Sequence, residues 1–125
     1  MGQEYNMEEI AELQKETIES LKEYIPNLQR GLSQVTEELK GERKEDTDEY
    51  LRMNIDGLNW VIEAYNGTVS SVDPEKTKID VSSLEEGVEK LSKSFMAKED
   101  AGIAESIEKY MLPFLEQFMN AMAEV

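Results

Sequence analysis

The sequence contains no histidine and no cysteine in 125 residues. Without cysteine the chain can form no disulfide and has no thiol nucleophile. Without histidine it lacks the commonest general base and transition-metal ligand, and the His-containing site of di-iron helical bundles cannot be built. Strand signals are nearly absent as well, because the alternating stretch at residues 79–81 is too short to form a sheet. These absences exclude most catalytic chemistry and favour an all-helical protein.

Other functional signatures are also missing. No apolar run approaches the roughly 20 residues that a membrane-spanning helix needs. Residues 1–6 have neither the basic nor the apolar part of a signal peptide. No phosphate-binding loop, dinucleotide fingerprint or nucleophile elbow occurs. We therefore expect a cytoplasmic protein with no enzymatic activity, no cofactor and no membrane association.

Acidic residues greatly outnumber basic ones. The chain has 28 Asp and Glu against 13 Lys and Arg, which gives a formal net charge of −15. Because phosphate recognition needs clustered Lys and Arg, we expect no binding to nucleic acid. Such a charge keeps a protein soluble and would steer a basic protein partner towards it.

The densest acidic cluster lies at residues 45–49. It lacks the spacing, the central glycine and the terminal glutamate of a calcium-binding EF-hand loop. We therefore predict a solvated loop that leads into a helix cap and holds no metal. A divalent-cation site made of carboxylates alone, near Asp46 and Asp48, is the alternative.

Apolar residues at steps of three or four predict a first helix from about Met7 to Lys40. Pro26 lies inside this segment, where proline removes one helical hydrogen bond. The apolar stripe nevertheless passes through it without a change of phase. The prediction is one long helix kinked near Pro26, or two nearly collinear helices, ending at Gly41.

Three further apolar stripes predict three more helices. The second begins near a cap at Asp46 and ends near residues 66–67, or frays on to Val72. Asp80, or its rival Ser82, is expected to cap the third helix, and Asp100 the fourth. The fourth helix contains a mid-helix proline, as the first does. The second, third and fourth stripes are Leu51-Ile55-Leu58-Ile62-Tyr65, Leu84-Val88-Leu91-Phe95 and Ile103-Ile107-Met111-Phe114-Phe118-Met122.

The predicted fold is all-α, an up-and-down bundle of four main helices in one domain that spans residues 1–125. The first helix is long and kinked near Pro26. Short connections at 41–45 and 98–100 imply that consecutive helices are antiparallel neighbours.

Two helices carry more apolar surface than one buried face requires. The second stripe of helix two consists of Met53, Gly57, Trp60 and Ala64. Either such stripes are buried in the monomer, because the long first helix wraps around them, or they form a partner groove or a homodimer face. On the second interpretation, the candidate partner-binding residues are Met53, Trp60, Leu112, Leu115 and Met119. The predicted function is a protein-interaction module, either an adaptor or a chaperone-like bundle, with a structural homo-oligomer as the alternative.

Two segments resemble those of small, uncharacterised all-helical proteins of Gram-positive bacteria, a domain of unknown function. They are Asp-Gly-Leu-Asn-Trp-Val-Ile at 56–62 and Tyr-Met-Leu-Pro-Phe-Leu-Glu-Gln-Phe at 110–118. The resemblance covers the last two-thirds of the chain and implies a helical fold without an assigned activity. In length, acidity and helicity the chain also resembles bacterial export chaperones, which implies a clamp for amphipathic helices of a client.

Overall fold

The computed structural model describes residues 7–125, with side chains from Glu8 onward, and this part of the chain contains helices and no strand. The first three helices are α1 (Met7–Lys40), α2 (Thr47–Val72) and α3 (Val81–Met96). Three helical segments then follow without a break: α4 (Asp100–Ser106), a π-helical turn (Ile107–Met111) and α5 (Leu112–Ala123). Together these segments form the fourth main helix. The predicted all-α bundle of four main helices is confirmed.

The long helix α1 is the centre of the bundle. It packs against α2, α4 and α5. Contacts from Gln14 to Gly67 at one end, and from Glu38 to Thr47 at the other, show that α1 and α2 are antiparallel. The helix α3 packs on α4 and the π turn and is not closely packed against α1 or α2.

The core lies along the inner face of α1 and is filled mainly from the last three segments. Tyr65 of α2 packs edge-on against Phe114 and Phe118 of α5, with ring centroids 5.5 and 5.4 Å apart. The fully buried large side chains are Leu21, Ile25, Leu32, Val35, Leu58, Val61, Val72, Ile107, Met111, Leu115, Phe118 and Met122. Most belong to the stripes that the helical periodicity predicts.

The two mid-helix prolines are accommodated differently. Around Pro26, α1 remains one continuous helix, so the prediction of one long helix is confirmed. The kink at Pro26 stays a prediction. Pro113 is the second residue of α5, directly after the π turn, where the N–H of Leu112 bonds the carbonyl of Ile107. In this continuous helix, Pro113 removes one hydrogen bond at the point where the partners change from five to four residues apart.

The predicted helix caps are met in part. Asp80 caps α3, since its Oδ1 accepts the backbone N–H of Ser83 at 3.1 Å, and the rival cap Ser82 is wrong. Asp46 is at the cap position of α2 without a side-chain cap bond. The prediction for Asp100 is wrong, because Glu99 is at the cap position and the carboxylate of Asp100 binds Arg43 instead.

The connection from α2 to α3 starts later than residues 66–67. Helix α2 continues to Val72, and Asp73 follows it directly. The buried Asp73 carboxylate accepts backbone N–H groups of Thr77 at 3.0 Å, Lys78 at 3.1 Å and Ile79 at 3.1 Å. This carboxylate therefore holds the returning chain against the end of α2.

No helix within residues 7–125 is both long and apolar enough to cross a bilayer. The prediction that no signal peptide is present concerns residues 1–6, which lie outside the described part.

Candidate docking groove between α2 and α3

An apolar groove runs between α2 and α3, because these two helices are not closely packed. The α2–α3 groove is lined mainly by apolar side chains, with two polar ones, Asn59 and Ser92. The apolar lining consists of Ile55, Leu58 and Ile62 on α2, Val88, Leu91, Phe95 and Met96 on α3, and Met111 of the π turn. Three of these side chains face solvent to a large extent: Val88 is 39% exposed, Phe95 37% and Met96 83%. The groove is therefore a surface where apolar side chains remain open to water.

The seating of α3 on the π turn explains why the groove is open. Leu84, Gly87 and Leu91 form the buried face of α3. A Cβ atom at Gly87 would meet the Cβ of Tyr110 and the methyl of Met111, so glycine allows α3 to approach the π turn closely. Val88 and Phe95 lie beside this face, at the edge directed towards α2. Part of the apolar surface of α3 thus holds the helix on the π turn, and the part that includes Val88 and Phe95 stays uncovered.

The α2–α3 groove has the size of a side-chain receptor. Its volume is about 130 Å³, whereas small-molecule and cofactor pockets usually enclose about 300 to 1,000 Å³. Both walls span eight residues, from Ile55 to Ile62 and from Val88 to Phe95, and the rise from the first to the last is about 10 Å. The walls are long enough for about two turns of another helix to lie along them, and the volume limits how many of its apolar side chains enter the groove.

The rim of the α2–α3 groove is acidic. Asp56 and Glu63 on α2, and Glu85 and Glu89 on α3, are exposed and lie within one turn of groove-lining residues. Glu89 pairs with Lys93 at 3.0 Å, whereas the other three carboxylates form no ion pair within residues 7–125. Their negative charge is therefore available to a ligand.

One end of the groove has the opposite charge. Arg52 and Lys98 line a neighbouring recess together with Phe95, which also lines the groove, and with Arg43, which pairs with Asp48 and Asp100 in the same recess. Neither Arg52 nor Lys98 forms an ion pair in the part of the chain that the structure describes. Since Arg52 is near Phe95 and the chain returns through residues 73–80, α2 and α3 are antiparallel. Glu63 and Glu85 therefore mark the opposite end.

The five predicted partner-binding residues do not line this groove. Met53 is 62% exposed and Trp60 43% exposed. Trp60 packs edge-on against Tyr24 of α1, with ring centroids 5.2 Å apart, and a Cβ at Gly57 would meet the Tyr24 hydroxyl. The second stripe of α2 is thus partly covered by α1, as the interpretation of burial within the monomer expects.

The predicted partner-binding residues on α5 are more deeply buried than those on α2. Leu112 and Met119 are half-buried against the core. Leu115 is fully buried, and this corrects its assignment as a candidate partner-binding residue. A side chain without exposed surface cannot anchor a partner while the bundle stays folded. The five residues therefore do not form one surface.

Sequence reasoning missed the groove because it assigned the lining residues to the core. Ile55, Ile62, Val88 and Phe95 all belong to the predicted core stripes. Met96 directly after Phe95 is the one signal of a wider apolar face on α3, since adjacent residues on a helix point about 100° apart.

The acidic cluster at residues 45–49 is partly used in an ion-pair network. Arg43 contacts Asp100 at 2.7 Å and Asp48 at 2.9 Å. Hydrogen bonds with Asp100, and next with Asp48, raise the pKa of Arg43 above its ordinary value. Within residues 7–125, no group of three or more acidic residues is arranged to hold a metal ion. The network fastens the 41–46 connection to the start of α4.

The fold and the groove define an all-α bundle with an open apolar groove between two of its helices. The chain belongs to the family described as Domain of unknown function (DUF8042), which matches residues 16–121. This agrees with the resemblance to an uncharacterised helical domain. No curated protein and no solved structure matches the chain.

Proposed function

We propose that this protein is a non-enzymatic interaction module that binds an apolar helix face of a partner protein in the α2–α3 groove. The observation that carries the proposal is the exposed row formed by Val88, Phe95 and Met96 along one continuous groove. Contiguous apolar side chains that stay exposed in a groove are a feature of protein-interaction sites. Helix-in-groove recognition uses apolar anchors spaced by three, four and seven residues, which match two helical walls of this length.

One methionine supports adaptable binding. Met96 is 83% exposed at the groove, where its flexible thioether side chain fits different apolar shapes, and the fully buried Met111 lies beneath the groove as part of its floor. An adaptor or chaperone-like protein that accepts related helices needs this property. The proposal includes a bacterial, Gram-positive source and a cytoplasmic location, where such a client helix would be met before assembly or export.

Isotope labelling of the methionine methyl groups provides the test. Met96 and Met111 report on the groove, and Met53 lies outside it. The probe is a synthetic helical peptide of about five turns with a leucine face and glutamine elsewhere. We expect the Met96 and Met111 signals to shift on titration while Met53 stays in place. Unchanged groove signals, or an equal shift of Met53, would contradict the proposal.

Two substitutions that each add one negative charge, one inside the groove and one outside it, provide a matched comparison for this test. Phe95→Asp places a carboxylate in the groove, and Met53→Asp places one on an exposed position elsewhere on α2. We expect Phe95→Asp to abolish peptide binding and Met53→Asp to leave it intact. Phe95 is 37% exposed and Met53 62%, and far-UV circular dichroism would verify that both variants fold.

The second candidate function is a structural homo-oligomer. It is favoured by Met53 and Trp60, which are exposed on a face of α2 separate from the groove. Sedimentation velocity over a wide concentration range would detect self-association. A dimer that is lost in Met53→Asp but kept in Phe95→Asp would support this second function.

A further inference from the structure

The charges around the α2–α3 groove identify the chemistry of its occupant. We propose that the groove binds an amphipathic helix with lysine or arginine on both sides of its apolar face. This inference rests on the proposed function and adds the class of partner. It follows from the positions of the rim charges, which lie on both walls of the groove.

The two acidic rims face the two flanks of a docked helix. Asp56 and Glu63 border the α2 wall, and Glu85 borders the α3 wall. All three carboxylates are exposed and without ion pairs within the described residues. The aliphatic stems of Lys and Arg lie well along apolar surface while their charged ends reach such carboxylates. A helix with acidic flanks would instead bring like charges together.

The charged ends of the groove also set the direction of the bound helix. A helix carries partial positive charge at its N-terminus and partial negative charge at its C-terminus. The N-terminus of the bound helix is therefore expected near Glu63 and Glu85, and its C-terminus near Arg52 and Lys98. In this direction the bound helix runs antiparallel to α2 and parallel to α3.

A second copy of the chain fits the groove less well. Each copy has a net charge of −15, and a contact between two grooves would bring the acidic rims together. Like charges in contact oppose association. Complementary charge favours a different, basic partner.

The test compares three peptides that share one leucine face and differ only in their flanking residues, which are lysine, glutamine or glutamate. We expect the lysine peptide to bind about tenfold more tightly than the glutamine peptide, because each exposed ion pair adds a modest gain. The glutamate peptide should bind most weakly. Equal affinities of the lysine and glutamine peptides would overturn the basic-partner inference, while shifts of Met96 and Met111 with either would keep the proposed function.

Charge reversal on the rim should invert this order. Glu63→Lys combined with Glu85→Lys is expected to favour the glutamate peptide. The matched control, Glu12→Lys with Glu16→Lys, makes the same net change at exposed positions on α1 that do not line the groove. If the control weakens the lysine peptide as much as the rim variant does, the attraction is a general effect of net charge and the inference is wrong.

Phe95→Asp separates groove binding from surface attraction. It adds negative charge, so a purely electrostatic complex with the lysine peptide would become tighter, whereas a groove complex is lost. Retained binding would overturn the inference. No shift of Met96 or Met111 with any of the three peptides would overturn the proposed function too, and a dimer that buries Met96 would identify a second copy as the occupant.

A separate experiment with paramagnetic tags tests the direction of the bound helix. Met96 is the last residue of α3, at the basic end of the groove. A paramagnetic tag on the C-terminus of the lysine peptide should broaden the Met96 methyl signal more than a tag on its N-terminus. The reverse result would show the opposite direction.

Discussion

Gly67 and Gly87 both lie inside helices, yet their surroundings differ. A Cβ atom at Gly67 in α2 would meet nothing within 4 Å, whereas one at Gly87 in α3 would meet Tyr110 and Met111. Alanine is favoured over glycine in a helix by about 1 kcal/mol. We therefore expect Gly67→Ala to raise the free energy of unfolding by roughly that amount. We expect Gly87→Ala to lower it by about 1–3 kcal/mol through overpacking.

Urea denaturation measures both effects. If Gly87→Ala stabilises the protein as much as Gly67→Ala does, α3 is not seated closely on the π turn. The explanation of the open groove would then fail as well, because that seating leaves Val88 and Phe95 uncovered.

The cap of α3 should make stability depend on pH in the acid range. Hydrogen bonds from the backbone N–H and then the hydroxyl of Ser83 lower the pKa of Asp80 below its ordinary value of 3.8. A group with a depressed folded pKa stabilises the protein above its unfolded pKa, and this contribution is lost as the pH falls through the folded pKa. Wild type should therefore exceed Asp80→Asn in stability near neutral pH, and the difference should shrink below about pH 4.

Chemical denaturation at a series of pH values would show this convergence. Ser82→Ala is a suitable control, because Ser82 was the rival cap and does not supply the side-chain cap bond. A constant difference between wild type and Asp80→Asn down to the most acidic pH would show that the charge of Asp80 does not contribute.

At the scale of helices, the sequence predicts that a helix is present more accurately than it predicts the residues at which the helix begins and ends. The 3.6-residue period identifies all four main helices because each buries a continuous stripe. Of the two predicted ends of α2, the one at residues 66–67 is wrong and the one at Val72 is confirmed, because Tyr65, Thr68 and Val72 are buried on one face and Gln14 of α1 donates to the carbonyl of Gly67. Tertiary contacts of this kind override the local glycine signal.

The π turn and the groove could not be predicted from periodicity. A π turn changes hydrogen-bond partners from four to five residues apart while the apolar side chains still recur at three or four. Periodicity also identifies which residues share a face without identifying the neighbour that covers it. Ile62 and Val88 have the same pattern as Leu58 and Leu91. Ile62 is nevertheless half-buried and Val88 exposed, because α2 and α3 are not closely packed, whereas Leu58 and Leu91 are buried.

The connection between α2 and α3 depends on one buried carboxylate. Asp73 accepts three backbone N–H groups, and a hydrogen bond to a charged group contributes a net stabilisation of about 1.5–3 kcal/mol. We expect Asp73→Ala to lower the free energy of unfolding by about 2 kcal/mol or more. Glu75→Ala, an exposed neighbour in the same connection, should change it by less than about 0.5 kcal/mol.

Hydrogen exchange would locate the effect. The amides of Thr77, Lys78 and Ile79 should lose protection in Asp73→Ala while those of α1 keep it. If all helices lose protection equally, the carboxylate stabilises the whole bundle and not the connection in particular.

For the whole molecule, the net charge of −15 means that the native state contains strong self-repulsion. The six ion pairs observed within residues 7–125 are mostly on exposed side chains, where a pair contributes little. Salt shortens the electrostatic range from about 30 Å at 0.01 M to about 8 Å at 0.15 M. We therefore expect added NaCl to raise the free energy of unfolding, because more repulsion than attraction is screened. A decrease would show that the ion pairs dominate.

Divalent salts extend this prediction to the possible cation site at Asp46 and Asp48. Asp48 already contacts Arg43, so neutralisation by a bound ion would have to compete with that pair. At equal ionic strength we expect CaCl₂ and MgCl₂ to act alike on wild type and on the double variant Asp46→Asn, Asp48→Asn, since diffuse screening does not depend on two particular carboxylates. Thermal denaturation with calcium, magnesium and sodium chlorides measures this. An additional stabilisation by one divalent ion that is lost in the double variant would instead establish a specific cation site at the start of α2.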